Sequence, residues 1–135
     1  EIIDGFNLSE AANIAYFYAG SSYLKLEDYD NAIRYLENFS SNDYFIQARA
    51  YSLIGDAYVE LDDYDNAISY FKMASSYEPN EFFTPNYLLK LALVYEELND
   101  FKSALDCYIK IVNDFKDSSE YQISLKNKAR LEAKI

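Results

Sequence analysis

Three segments of this chain align on one another without a gap: YLKLEDYDNA at 23–32, YVELDDYDNA at 58–67 and YEELNDFKSA at 95–104. Each begins with Tyr and ends with Ala nine residues later, with Leu three after the Tyr (Leu26, Leu61, Leu98). An acidic turn follows, then an aromatic (Tyr29, Tyr64, Phe101). The alanines Ala32, Ala67 and Ala104 are separated by 35 and then 37 residues. A period in the mid-thirties with no alternating strand pattern means stacked helical hairpins, because one hairpin cannot bury its apolar face without a neighbour.

Each repeat divides at its acidic turn. Upstream of it Tyr51, Ile54, Tyr58 and Leu61 recur at helical spacing, and downstream Ala67, Tyr70, Phe71 and Ala74 share one face. The pattern predicts helices over 9–26, 29–39, 43–60, 64–77, 85–98, 101–115 and 118–134. Thr84-Pro85 reads as an N-cap followed by a proline whose missing N–H costs nothing in the first turn. Phe83 just before it is placed to staple onto Leu88.

Composition removes most chemistry. The chain of 135 residues has no His, no Trp and one Cys, Cys107, so His-based acid–base work, Cys/His zinc sites and intramolecular disulfides are excluded. Three glycines and two prolines are too few for a turn-rich sandwich or a glycine-looped nucleotide fold. A net charge of −11 has the wrong sign for nucleic acid or an anionic membrane surface. It is uneven: −13 over 1–117 and +2 over 118–135, where Lys126, Lys128, Arg130 and Lys134 lie. No apolar run approaches the ~18 residues of a membrane span. The chain begins at Glu1, so a signal or anchor upstream is an open expectation.

Ten of the fifteen tyrosines occupy repeat positions, leaving Tyr18, Tyr44, Tyr77, Tyr87 and Tyr121 without the interleaved Lys or Arg of a nucleic-acid platform. The acidic turns at 27–30 and 62–65 lack the glycine and terminal glutamate of an EF-hand loop and read as helix caps. Cys107 reads as a small packed side chain.

These residues resemble the tetratricopeptide repeat (TPR) family over nearly the whole chain. Tyr51, Ile54-Gly55, Tyr58, Ala67, Phe71, Ala74 and Pro79 match its pattern in the middle repeat. Tyr16, Gly20, Tyr23 and Ala32 match in the first, with Leu36 and Phe39 in its aromatic and second small positions; Leu88, Leu91, Ala92, Tyr95, Ala104 and Tyr108 match in the third, with Ile111 in the last small position. The resemblance implies an all-α fold, a right-handed superhelical solenoid of three TPR helical hairpins (about 13–47, 48–84 and 85–117) with a C-terminal capping helix at 118–135. Gly20, Gly55 and Ala92 would then let paired helices approach. DFKDSSEY at 114–121 and NEFFTPNYLLKLALVYEEL at 80–98 look like segments of bacterial envelope TPR proteins, which implies a periplasmic place, with the cytoplasm as the alternative.

The resemblance also places a groove on the first helices of the hairpins. It maps to Ile14, Phe17, Ser21, Leu24 and Lys25, to Arg49, Ser52, Asp56, Val59 and Glu60, and to Asn86, Leu89, Leu93, Glu96 and Glu97. Phe17, Leu24, Val59, Leu89 and Leu93 would anchor a partner, and Asp56, Glu60, Glu96 and Glu97 would orient it, with Arg49 and Ser52 beside them. Apolar residues mixed with acids suit an amphipathic or basic protein segment. A carboxylate clamp of the co-chaperone kind is not offered, since Phe17, Ser21 and Asp56 stand in its places and Lys90 is the one nearby base. The expected function is a non-catalytic protein-binding adaptor without cofactor, nucleic acid or direct membrane contact. The alternative is a self-assembling structural module that forms a homo-oligomer.

Overall fold

A computed structural model of the chain describes residues 2–135, with side chains from Ser9 onward. The described residues form seven α-helices and no strand: α1 (Ile2–Lys25), α2 (Tyr29–Glu37), α3 (Tyr44–Glu60), α4 (Tyr64–Ser76), α5 (Thr84–Glu97), α6 (Phe101–Asp114) and α7 (Tyr121–Glu132). Each helix packs mainly on the helices before and after it in sequence, which makes an all-α helical repeat solenoid. None of the helices is long and apolar enough to cross a membrane. Two boundaries differ from the expected ones by more than two residues. The first helix begins at Ile2 rather than at Ser9, because residues 2–8 hold no proline and the lone Gly5 costs only about 1 kcal/mol. The last begins at Tyr121, after Ser118–Glu120 are taken up in turns closed by Ser118 N–H to Phe115 C=O and Tyr121 N–H to Ser118 C=O.

The repeated acidic turn has one physical explanation in all three hairpins. Glu27, Asp62 and Asn99 adopt φ of 62°, 58° and 60°. Their N–H groups bond the carbonyls of Leu24, Val59 and Glu96, and the next residue's N–H bonds those of Tyr23, Tyr58 and Tyr95. This is the Schellman pattern, normally given to glycine because a left-handed side-chain residue costs about 1 kcal/mol. The residue that closes it, Asp28, Asp63 or Asp100, is also the N-cap of the following helix. Its carboxylate accepts from the backbone N–H of Asn31, Asn66 or Ser103. Each cap stabilises its helix by about 1 kcal/mol, which offsets the strain one residue earlier.

The hairpins close where glycine permits it. A Cβ on Gly20 would lie 2.5 Å from Leu36 Cγ, and one on Gly55 would lie 2.5 Å from the Phe71 ring, so neither site has room for a side chain. Leu36, Phe71 and Tyr108 fill the same position of successive repeats and are fully buried. Stacked tyrosines recur as well: Tyr23 on Tyr35 at 5.2 Å and Tyr58 on Tyr70 at 5.7 Å. In the third hairpin Cys107 stands where Tyr35 and Tyr70 do. It is buried, and loss of hydration pushes its thiol up to about 12, so it remains protonated at neutral pH.

Three local expectations are corrected. Thr84 is not the N-cap of α5: Phe83 precedes the helix without a side-chain cap, and Thr84 Oγ1 instead accepts from the Asn80 N–H at 2.8 Å. The Phe83 ring lies 5.6 Å from Phe45, whereas Leu88 clusters with Ile111 and Phe115. Tyr87 is no spare tyrosine either. It is buried against Ala48 and Ala74, because the longer link between α4 and α5 brings it under Tyr77 and Tyr51.

Candidate functional site

A cleft of about 520 Å³ runs across all three hairpins. Leu24 of α1, Asp56, Val59 and Glu60 of α3, and Lys90, Leu93, Val94 and Glu97 of α5 line it, joined by Tyr29 and Tyr64 at the starts of α2 and α4 and by the Phe71 ring. The helical step of three and four that brings Asp56, Val59 and Glu60 to one side does the same for Lys90, Leu93 and Glu97.

The cleft has a single cation, and it is held. Lys90 Nζ donates to Asp56 Oδ2 at 2.9 Å and to Ser52 Oγ at 3.1 Å, and lies 5.9 Å from the Phe71 ring centre. Partial burial raises the Asp56 carboxyl above the ordinary aspartate range, and attraction to Lys90 and Arg49 acts against that shift without cancelling it. Asp56 therefore takes up a proton earlier than an ordinary aspartate as pH falls, and the Lys90 pair loosens with it. Glu60 and Glu97 are exposed and make no ion pair among the described residues. The result is an apolar floor, a neutralised polar centre and a rim with two free carboxylates.

Six of the residues expected in the groove line this cleft: Leu24, Asp56, Val59, Glu60, Leu93 and Glu97. Five do not. Phe17 turns toward Phe39, with ring centres 5.1 Å apart, and lines a different hollow. Ser52 is buried beneath Lys90. Leu89 is half-buried against the core clusters between α5 and its neighbours and does not reach the lining. Arg49 is exposed on α3 but outside the lining.

Glu96 is the clearest correction. It occupies the position of Leu24 and Val59 in its repeat, yet its carboxylate accepts from Arg130 of α7 at 2.7 and 2.8 Å and from the Tyr108 hydroxyl at 2.6 Å. The acid is used to tie α7 to α5 and is not available to orient a partner. Burial, with the Glu96 hydrogen bond next, raises the Tyr108 hydroxyl well above its ordinary range. The basic balance of the last segment is thus largely engaged within the chain: Lys128 pairs with Glu132, and Lys134 lies 4.8 Å from the Phe101 ring centre.

Sequence reasoning missed Tyr29 and Tyr64 as lining residues, having assigned them to the framework. Their place at the first position of a capped helix, where the side chain is free of the preceding turn, was the usable signal. From the sequence Lys90 reads only as a nearby base. Its partner lies 34 residues away and no local pattern announces it. Among the described residues no group of three His, Cys, Asp or Glu side chains could hold a metal ion.

Two family models described as tetratricopeptide repeat match the chain, at residues 10–80 and 87–118. No curated protein matches its sequence. Among solved structures it is similar to the MamA protein (TM-score 0.70, 20% identity), covering 94% of this chain and 66% of that one, so it spans just under two thirds of MamA. It is also similar to the TPR2B domain of yeast Sti1 in its complex with pHsp70 (TM-score 0.71, 17% identity, 93% and 99% covered). The Arabidopsis OM64 TPR domain is a third such structure (TM-score 0.68, 16% identity, 93% and 98% covered).

Proposed function

The chain belongs to the tetratricopeptide repeat family, and on that footing we propose that it is a non-catalytic docking module whose cleft receives an amphipathic or basic segment of a partner protein. The observation that carries this reading is the lining itself. Leu24, Val59 and Leu93 present apolar surface in an open cleft above the buried Val94, while Glu60 and Glu97 stand at its rim without a cation. Apolar anchors supply affinity in such sites, and unpaired rim charges set the encounter rate and the orientation. The TPR2B domain of yeast Sti1 holds pHsp70 on a similar fold, which supports a protein ligand without naming this one.

The experiment uses two synthetic helical peptides of equal apolar content, with two leucines one turn apart, flanked in one by lysines and in the other by glutamates. The basic peptide is expected to bind and the acidic one not to. Glu60→Lys combined with Glu97→Lys should lower the association rate about tenfold at low ionic strength, and the difference should shrink toward nothing at about 0.5 M salt. Equal binding of the two peptides, or an association rate indifferent to the charge reversal, contradicts the reading.

A further inference from the structure

A second apolar surface lies away from the cleft, on the edge where the start of α3 adjoins the middle of α1 on one side and the start of α5 on the other. Ile14, Tyr18, Phe45, Ile46, Phe82 and Phe83 are all exposed there, by 41 to 83%. Surface apolar residues scattered singly are ordinary, whereas a contiguous group of this size marks an interaction site.

The edge has a protrusion and a hollow, both held in shape by side-chain amides. The protrusion is Phe82, the most exposed large apolar residue described, at 83%. Its loop is fixed: Asn80 Oδ1 accepts from the N–H groups of Phe82 and Phe83 at 3.0 and 2.9 Å, and Asn80 N–H donates to Thr84 Oγ1. The Phe83 ring rests on Phe45. The hollow has a volume of about 580 Å³, with Ile14, Phe17, Tyr18, Phe39 and Ile46 as its apolar lining. Asn13 pins its wall by bonding both the N–H and the carbonyl of Ser40. Ile46 in the hollow adjoins Phe45, which touches the base of the protrusion, so the two features are neighbours on one surface.

We propose that this edge is the self-complementary interface of a homodimer, with the Phe82 loop of each copy seated in the hollow of the other. A two-fold axis needs one patch that carries both halves of a contact, and a protrusion beside a matching hollow is such a patch. The area is adequate. Six side chains of about 200 Å² apiece, exposed by half on average, offer roughly 600 Å² per copy, and the polar rim brings this toward the ~800 Å² per partner of a stable interface. Both elements are ordered before contact, which reduces the entropy lost on association. Glu10 and Asp43 border the hollow, and Glu78 and Glu81 flank the protrusion. The dimer therefore brings like charges together, and its association must strengthen with added salt, opposite in sign to the peptide binding proposed for the cleft.

Sedimentation velocity on the whole chain, over a range of protein concentrations at low salt and at about 0.5 M, tests this. The expected result is a monomer–dimer equilibrium that shifts toward dimer with salt. Phe82→Ser should weaken it at least ~10-fold while leaving the unfolding midpoint of the monomer unchanged, because Phe82 packs on little within its own chain. Mixed and oxidised, Phe82→Cys and Tyr18→Cys proteins should form a disulfide-linked pair in higher yield than either alone. Buried Cys107 stays out of that reaction. A monomer at every concentration and salt overturns the proposal. So does a dimer indifferent to Phe82→Ser, or one that weakens as salt is added.

Discussion

Gly55→Leu is expected to destabilise the chain by ~3 kcal/mol, at the upper end of what overpacking costs. The reason is the absence of room. The first carbon of any side chain there meets three atoms of the Phe71 ring within 2.9 Å, and that ring is fully buried. Phe71→Ala alone should cost ~3–5 kcal/mol through lost burial and the cavity left behind. The double variant separates this account from a general intolerance of change. A leucine at 55 can enter the space that alanine at 71 vacates, so the two effects should sum to clearly less than their separate values. Urea unfolding at constant m-value measures all three. Full additivity of the two costs, or an unchanged midpoint for Gly55→Leu, contradicts the packing of α3 on α4 described above.

In the cleft the largest expected effect is on affinity. Leu93→Ser should weaken binding of the basic amphipathic peptide by ~2 kcal/mol, about thirtyfold, as truncation of a central apolar anchor does. Stability should move by no more than ~0.5 kcal/mol, because Leu93 is exposed in the free chain. Leu89→Ser should do the reverse. It lies one turn earlier on α5 but packs between the core clusters, so its loss should cost ~2 kcal/mol or more of stability. Isothermal titration together with thermal unfolding of the two variants reads both quantities. If Leu93→Ser binds normally, the cleft floor is not the anchor.

The contrast between these two leucines shows where sequence reasoning reaches and where it stops. The hairpins, the three turns and the close-approach glycines are legible because each is set by residues within one repeat. Asp63 caps the helix it precedes, and Gly55 faces the residue sixteen positions on. The six cleft residues follow from the groove that the family resemblance lays over that periodicity. What periodicity cannot show is which members of a face another element has already engaged. Glu96 occupies the register of Leu24 and Val59, but Arg130 claims it from 34 residues away. Asp56 looks like a free acid until Lys90 is placed beside it. Phe17 shares the register of Ser52 and Leu89, yet only the first hairpin has Phe39 to draw its ring away. Thr84 has the local signature of a cap, and the Asn80 turn, peculiar to the longer link before α5, takes its hydroxyl for another bond. Each misreading is a long-range or loop-specific competitor for a group that the repeat alone leaves unassigned.

The most direct test of the docking account is a methyl-detected NMR titration of the chain with the basic amphipathic peptide. The account predicts that the methyl groups of Leu24, Val59, Leu93 and Val94 shift together and saturate with one dissociation constant, while those of Ile14 and Ile46 in the separate hollow stay in place. Shifts confined to Ile14 and Ile46, or to Ile123 and Leu125 of α7, with the four cleft residues unmoved, would contradict it.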